Sequence, residues 1–372
     1  MTPIPQTDPR ASYLEHKAEI DAAVARVLDS GWYILGREAE LFEAGFAGLI
    51  GVGHAIGCGN GTDALALALR ACGVGQGDLV FTVSHTAVAT VAAIEGTGAT
   101  AVLIDIEEGG YCMDPAGLEA ALEAPPKGRP AAVIPVHLYG EPAAMVEIVA
   151  LARAHGLRVI EDCAQSHGAR YQGITTGSIG DFGCYSFYPT KNLGAFGDAG
   201  AVVTGDDELA AAAREIREYG WRDRYVSAVA GINSRLDPIQ AAILSVKLDT
   251  LEADNARRQA IAARYDAELA DLPLALPRRR NSTTHVFHQY VVRTKKRGGL
   301  REHLRQGQIG TGIHYPLPVH LHPAYRARVP VGPTGLCRSE AAAREILSLP
   351  MFPQLTDDAV GRVIAETRRF FL

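Results

Sequence analysis

Asp181-Phe182-Gly183-Cys184-Tyr185-Ser186-Phe187-Tyr188-Pro189-Thr190-Lys191 is an aromatic-rich run that ends on a lysine, and it reads as a strand. A glycine-rich stretch follows, Asn192-Leu193-Gly194-Ala195-Phe196-Gly197-Asp198-Ala199-Gly200, and then a second apolar strand, Ala201–Thr204. Lysine is rarely buried unless paired or functional. The other lysines (Lys17, Lys127, Lys247, Lys295 and Lys296) lie in polar helices or in basic or proline-rich loops. Lys191 alone stands in a small-residue loop between two apolar strands. Desolvation depresses the pKa of a lysine and equips it to form imines. The competing role is a structural ion pair with Asp198.

Upstream of this segment, short apolar runs alternate with helical patterns. Strands are expected at His54–Gly59, Leu79–Val83, Ala101–Ile106, Ala131–Val136, Arg158–Asp162 and Phe182–Phe187, with amphipathic helices such as Asp63–Cys72 and Ala143–His155 between them. Buried strands alternating with helices indicate an α/β domain with a mostly parallel sheet, and such sheets bind ligands at the carboxyl ends of their strands. The texture changes at Asp237-Pro238. Proline at the first helical position opens a helical run from Ile239 to about Leu269, with Asp237 placed to cap it. Strands around Val286–Val292 and a terminal helix follow. A boundary near residue 245 divides the chain into a large domain, 1–245, and a smaller C-terminal α+β domain, 246–372.

Two further segments carry chemistry. Gly57-Cys58-Gly59-Asn60-Gly61-Thr62-Asp63 joins a strand to a helix; its glycines admit close approach of a ligand, and the helix start offers N–H groups to a phosphate. An ordinary capped turn is the plainer reading. The segment is neither a Walker loop nor a dinucleotide fingerprint. Val159-Ile160-Glu161-Asp162-Cys163-Ala164-Gln165-Ser166-His167-Gly168 delivers two acids at a strand end, where Asp162 could fix the protonation of a heterocyclic nitrogen.

Composition narrows the classes. The 372 residues are 47% hydrophobic and 21% charged, as in a globular protein. A net charge of −6 argues against broad nucleic-acid binding. No apolar stretch approaches the roughly 20 residues of a membrane span, and Met1-Thr2-Pro3-Ile4-Pro5-Gln6 lacks the features of a signal peptide. Six scattered cysteines, with no metal-type pair, read as reduced thiols of a cytoplasmic protein.

In this order the three segments resemble the DegT/DnrJ/EryC1/StrS family of sugar aminotransferases. Gly36, Glu43 and Phe46-Ala47 also match, as do Gly231-Ile232-Asn233-Ser234-Arg235-Leu236, Gln240-Ala241-Ala242 and His288-Gln289-Tyr290. Gly312-Ile313-His314-Tyr315-Pro316 and Leu349-Pro350 extend the similarity over almost the whole chain. The resemblance implies the fold-type I, aspartate-aminotransferase-like architecture, with a mixed, mostly parallel seven-stranded sheet. It implies pyridoxal phosphate as cofactor, passing through pyridoxamine phosphate, and a homodimer with shared sites.

Carried over residue by residue, the resemblance makes Lys191 the Schiff-base lysine and pairs Asp162 with the pyridinium nitrogen. Gln165 approaches the 3-hydroxyl, Gly61, Thr62 and Ser186 hold the phosphate, and Asn233 reaches it from the partner subunit. One position departs from the family: the aromatic that stacks on the cofactor is replaced by Ala87 after Ser84-His85-Thr86, which leaves His85 as a substitute candidate. Trp32, Tyr33, Tyr188, Arg222, His314, Tyr315 and His320 are candidates to line the substrate cleft, with ordinary loop surface as the alternative for each.

The implied reaction moves an amino group from glutamate or glutamine to a nucleotide-linked keto-6-deoxy sugar, at C3 of a dTDP-sugar. Dehydratase relatives carry histidine in place of the lysine, so Lys191 favours transamination. A non-catalytic regulator is the other alternative, and the chain has no basic DNA-binding segment.

Overall fold

A computed structural model describes residues 2–372; Met1 lies outside the described residues. The strands are β1 (His54–Cys58), β2 (Asp78–Val83), β3 (Thr100–Ile104), β4 (Arg129–Val133), β5 (Arg158–Asp162), β6 (Arg170–Tyr171), β7 (Ile174–Thr175), β8 (Phe182–Ser186) and β9 (Gly200–Thr204). Seven of them form the central sheet in the order β1-β9-β8-β5-β4-β2-β3, matching the seven expected from sequence. β9 runs antiparallel to both its neighbours, β1 and β8. The other pairings are parallel.

Every residue of β2 is buried, because helices cover both faces of the sheet. Adjacent side chains of a strand point to opposite faces. Val80 thus joins one apolar cluster with Ile56, Leu65 and Ile160, while Leu79 and Phe81 join another with Val102, Leu118 and Ile148.

The helical run after Asp237 is two helices, Pro238–Leu248 and Leu251–Leu269. Thr250 N–H turns back to the Lys247 carbonyl (3.3 Å), and the second helix restarts with Asp254 N–H on the Thr250 carbonyl (2.9 Å). Asp249 and Thr250 are both poor helix formers. Asp237 stands at the N-cap, but its carbonyl rather than its side chain does the bonding, accepting from Ala241 N–H.

The strand expected at 286–292 forms only as Tyr290–Arg293, antiparallel to Ile346–Leu349. Phe287 has φ +42°, and Val286 and Gln289 donate their N–H groups to Gly140 and Tyr139, so this backbone is bonded elsewhere. Around the pair sits a separate apolar cluster that includes Ile261, Tyr265, Leu300 and Ile364. Ile4 belongs to it too, with Ile4 N–H on the Gln308 carbonyl (2.9 Å) and Gly310 N–H on the Ile4 carbonyl (2.7 Å). No helix among the described residues is long and apolar enough to cross a membrane. All six cysteines are free.

Candidate active site

Three chain segments meet at the carboxyl ends of the sheet strands around a cavity of about 490 Å³, which Thr86, Ala87, Ala89, Val136 and Leu138 also line. They are the turn from β1 into the helix Gly61–Ala71, the end of β5, and the loop between β8 and β9. Gly61, Thr62, Asp162, Gln165, Ser186, Tyr188 and Lys191 all line this cavity.

β5 ends on two acids, and strand alternation separates them. Glu161 faces away from the cavity into full hydrogen bonding, accepting from the N–H groups of Gly177, Ile179 and Gly180 (2.8 Å each). It also bonds His137 Nε2 at 3.0 Å. Asp162 faces the cavity, where it accepts from Thr90 Oγ1 (2.9 Å) and Ala164 N–H (3.1 Å). Burial pushes the Asp162 pKa up, against the pull of those two hydrogen bonds and of the Lys191 charge. A carboxyl so placed gains from any cation brought beside it.

Lys191 sits in a tight turn, its N–H donating to the Tyr188 carbonyl at 2.8 Å. The side chain is partly exposed to the cavity, yet withdrawal from bulk solvent lowers its pKa to about 8, with the Asp162 charge acting in the opposite sense. Asp162, not Asp198, is the charge that acts on it, although Asp198 lines the same cavity.

At the far end lies the helix Gly61–Ala71. Asn60 caps it by accepting from Asp63 N–H at 2.8 Å. The Gly61 and Thr62 N–H groups, first and second in the helix, have no carbonyl partner within it and open on the cavity. Ser186 approaches so closely that a Cβ on Gly61 would lie 2.6 Å from its Cβ. Glycine at 61 is what lets the hydroxyl and the helix start share one corner.

Gln165 is held at both ends of its amide: Oε1 accepts from Tyr139 N–H (2.7 Å) and Nε2 donates to Tyr315 Oη (3.2 Å). Tyr315 and His314 therefore back the site without lining the cavity; His314 is bonded to Ser348 Oγ at 2.8 Å. His85 is no ring-stacking surface. Its Nε2 bonds Tyr139 Oη (2.9 Å), and the ring is fully buried, with its pKa lowered to about 4 by desolvation. His320 is taken up by Ser84 Oγ (2.8 Å). Trp32, Tyr33, Arg222 and Asn233 are exposed and do not line this chain's cavity. Next to Asn233, Ser234 Oγ bonds Asp63 Oδ2 (2.6 Å) and accepts from Gly59 N–H (2.9 Å). The segment thus docks on the Gly59–Asp63 turn while Asn233 itself is exposed.

Sequence reasoning missed two residues. Thr90 hides in an apolar helix, and only its bond to Asp162 reveals it. Lys247 reads as a lysine of a polar helix but is buried at 6% exposure, donating to the Gly194 carbonyl. Spacing along its helix shows which face it occupies, not what covers that face.

Comparison with known proteins places this geometry. Residues 14–368 match the model of the DegT/DnrJ/EryC1/StrS aminotransferase family. Over 369 residues the chain is 48% identical to dTDP-3-amino-3,4,6-trideoxy-alpha-D-glucose transaminase of Streptomyces venezuelae, covering 99% of this chain and 96% of that protein. It is 43% identical over 368 residues to UDP-N-acetyl-3-dehydro-alpha-D-glucosamine 3-aminotransferase of Acidithiobacillus ferrooxidans, covering 99% and 98%. The crystal structure of S. venezuelae DesV in complex with a ketimine intermediate superposes with a TM-score of 0.95 at 48% identity, covering 100% of this chain and 99% of that one. The seven-stranded sheet is accordingly that of the fold-type I architecture. The chain belongs to the DegT/DnrJ/EryC1/StrS aminotransferase family.

Proposed function

We propose that this protein uses pyridoxal phosphate to move an amino group from glutamate or glutamine to C3 of a dTDP-linked keto-6-deoxy sugar. The observation that carries the reading is one cavity in which a desolvated lysine, a buried carboxyl and an open helix N-terminus converge. These donors suit the cofactor: an amine for its aldehyde, an acid for its ring nitrogen and free amides for its phosphate. The substrate class is supported by the names of the relatives at 48% and 43% identity, both of which act at a sugar C3. Location in the cytoplasm is supported by six free thiols. A division near residue 245 is supported by the separate C-terminal apolar cluster, although Ile4 packs there too.

When bound, pyridoxal phosphate supplies an electron sink for the carbon that loses its proton. Asp162 would hold a proton on the ring nitrogen, and the burial that raises its own pKa favours such a cation beside it. Gly61 and Thr62 N–H groups with Ser186 Oγ would bind the phosphate, and Gln165 would orient the ring hydroxyl. Lys191 would hold the cofactor's aldehyde, and its freed amine would carry the proton away from the donor carbon and give it back. Water would supply the carbonyl oxygen of the departing keto acid while the amine stays with the cofactor, and the keto sugar would take that amine and give back the water in the reverse sequence, giving ping-pong kinetics.

Borohydride reduction of the holoenzyme followed by peptide mapping is expected to place the cofactor on residue 191. In cofactor-free protein, capture of the aldehyde should accelerate as pH rises through about 8 and then level off. Labelling on any other lysine sinks the assignment. A panel of nucleotide-linked 3-keto and 4-keto sugars tests the substrate, and amination of 4-keto sugars alone would overturn the C3 reading.

A homodimer whose sites draw on both chains is part of the same proposal. Exposed Asn233, beside a segment docked on the phosphate-binding turn, supports service to a neighbouring subunit's site. Exposed Trp32 (64%) and Tyr33 (52%) suit the same surface. Mixing inactive Lys191→Ala and Asn233→Ala subunits with free exchange should restore about a quarter of wild-type activity, since half the dimers are mixed and carry one intact site. Mixed dimers that form and stay inactive refute the shared site.

A further inference from the structure

The helix Pro238–Leu248 aims two polar side chains, seven residues or about two turns apart, at the loop that follows Lys191. Gln240 Oε1 accepts from Phe196 N–H at 2.9 Å. Its Nε2 lies against the next residue, where a Cβ on Gly197 would be 3.0 Å away. Lys247 Nζ donates to the Gly194 carbonyl, and the ammonium stands 5.2 Å from the centre of the Phe196 ring. The edge of Tyr13 meets that ring with centroids 5.9 Å apart.

The loop has little slack of its own. Ala195 N–H returns to the Phe187 carbonyl (2.8 Å), and a Cβ on Gly194 would strike the Pro189 carbonyl at 2.5 Å. A push on Gly194 is therefore passed to the backbone between Pro189 and Lys191.

Lys247 does not earn its place by stability. Its contacts are a carbonyl and an aromatic face, while Asp254 acts on it only through space, and burial lowers its pKa to about 8. An apolar side chain of similar length avoids that desolvation cost. What the ammonium adds is a directed, charge-assisted hydrogen bond to one backbone atom of the lysine loop.

We propose that Lys247 is a positioning residue for amino transfer: with Gln240 it clamps the loop 191–197 from behind and fixes the height of the Lys191 amine in the cavity. This rests on Lys191 being the reactive amine, which the borohydride mapping tests separately.

The test compares full-length holoenzyme of wild type, Lys247→Met and Lys247→Arg by hydrogen exchange and by single-turnover half-reactions. In Lys247→Met, amides 194–197 should exchange about tenfold faster, with the rest of the central sheet unchanged. The half-reaction with the amino donor should slow by roughly 10- to 100-fold, the scale of a small misplacement, with the sugar KM within about twofold. Lys247→Arg, which keeps the donor, should recover most of the rate. Faster exchange with a normal rate overturns the proposal, because the loop would then not position the amine. A slow rate with normal exchange overturns it as well, because the effect would not pass through the loop. Should Lys247→Met not fold, Gln240→Leu is measured the same way; it should give the same pair of changes, and wild-type behaviour in both refutes the clamp.

Discussion

Lys191→Ala should leave a folded protein that no longer attaches the cofactor covalently and whose amino transfer falls at least about 10⁴-fold. The fold should survive because the residue's contribution to its turn is the backbone N–H bond to Tyr188, which alanine retains. Absorbance of the reconstituted variant, single-turnover kinetics and thermal unfolding together check the claim. Retained covalent attachment would mean that another lysine serves, and buried Lys247 would be the first to examine.

The same substitution has a signature in cofactor-free protein. The folded pKa of Lys191, about 8, lies below the ordinary lysine value of about 10.4. Between these pH values the unfolded chain holds a proton that the folded one has lost, so stability rises with pH across that window. Lys247 is shifted the same way, so wild type gains from both lysines and Lys191→Ala from one. Stability curves from pH 7 to 10.5 should be steeper for wild type; parallel curves would show that Lys191 is not desolvated.

Asp162→Ala should still bind the cofactor through Lys191, but both half-reactions should slow on the order of 10³-fold, the scale expected when a group stabilising developed charge is lost. The neighbouring acid cannot take over, because Glu161 points to the other side of β5 and is spent on three backbone amides and His137. Near-normal single-turnover rates in this variant would refute the role of Asp162.

The central strands were legible because buried parallel strands are written as short runs of β-branched and aromatic residues, with no need of distant information. Lys191 was legible for a related reason: a charged residue between two apolar strands has few bland explanations. Choosing between Glu161 and Asp162 was harder, since alternation says only that they oppose each other. Which face holds the cavity is decided by Thr90 and the Lys191 loop, distant in sequence. Burial of Lys247 was not legible because a lysine in a polar helix reads the same whether water or another loop covers its side chain. His85 looked available beside Ala87, but the Tyr139 hydroxyl that engages it is 54 residues away. The break at Asp249-Thr250 lay in two unremarkable polar residues that a smooth helical period passes over.

The pairing of Ile4 with residues 308–310 sets an order of events during synthesis. The central sheet has all its strands once residue 204 has left the ribosome, but the amino-terminal segment must wait for a partner made some 300 residues after it. At about 5–20 residues per second that wait lasts roughly 15–60 s. A stretch made before every strand of the sheet thus docks after all of them, and a substitution that weakens the Ile4 packing would weigh on the closing step of folding rather than on the assembly of the sheet.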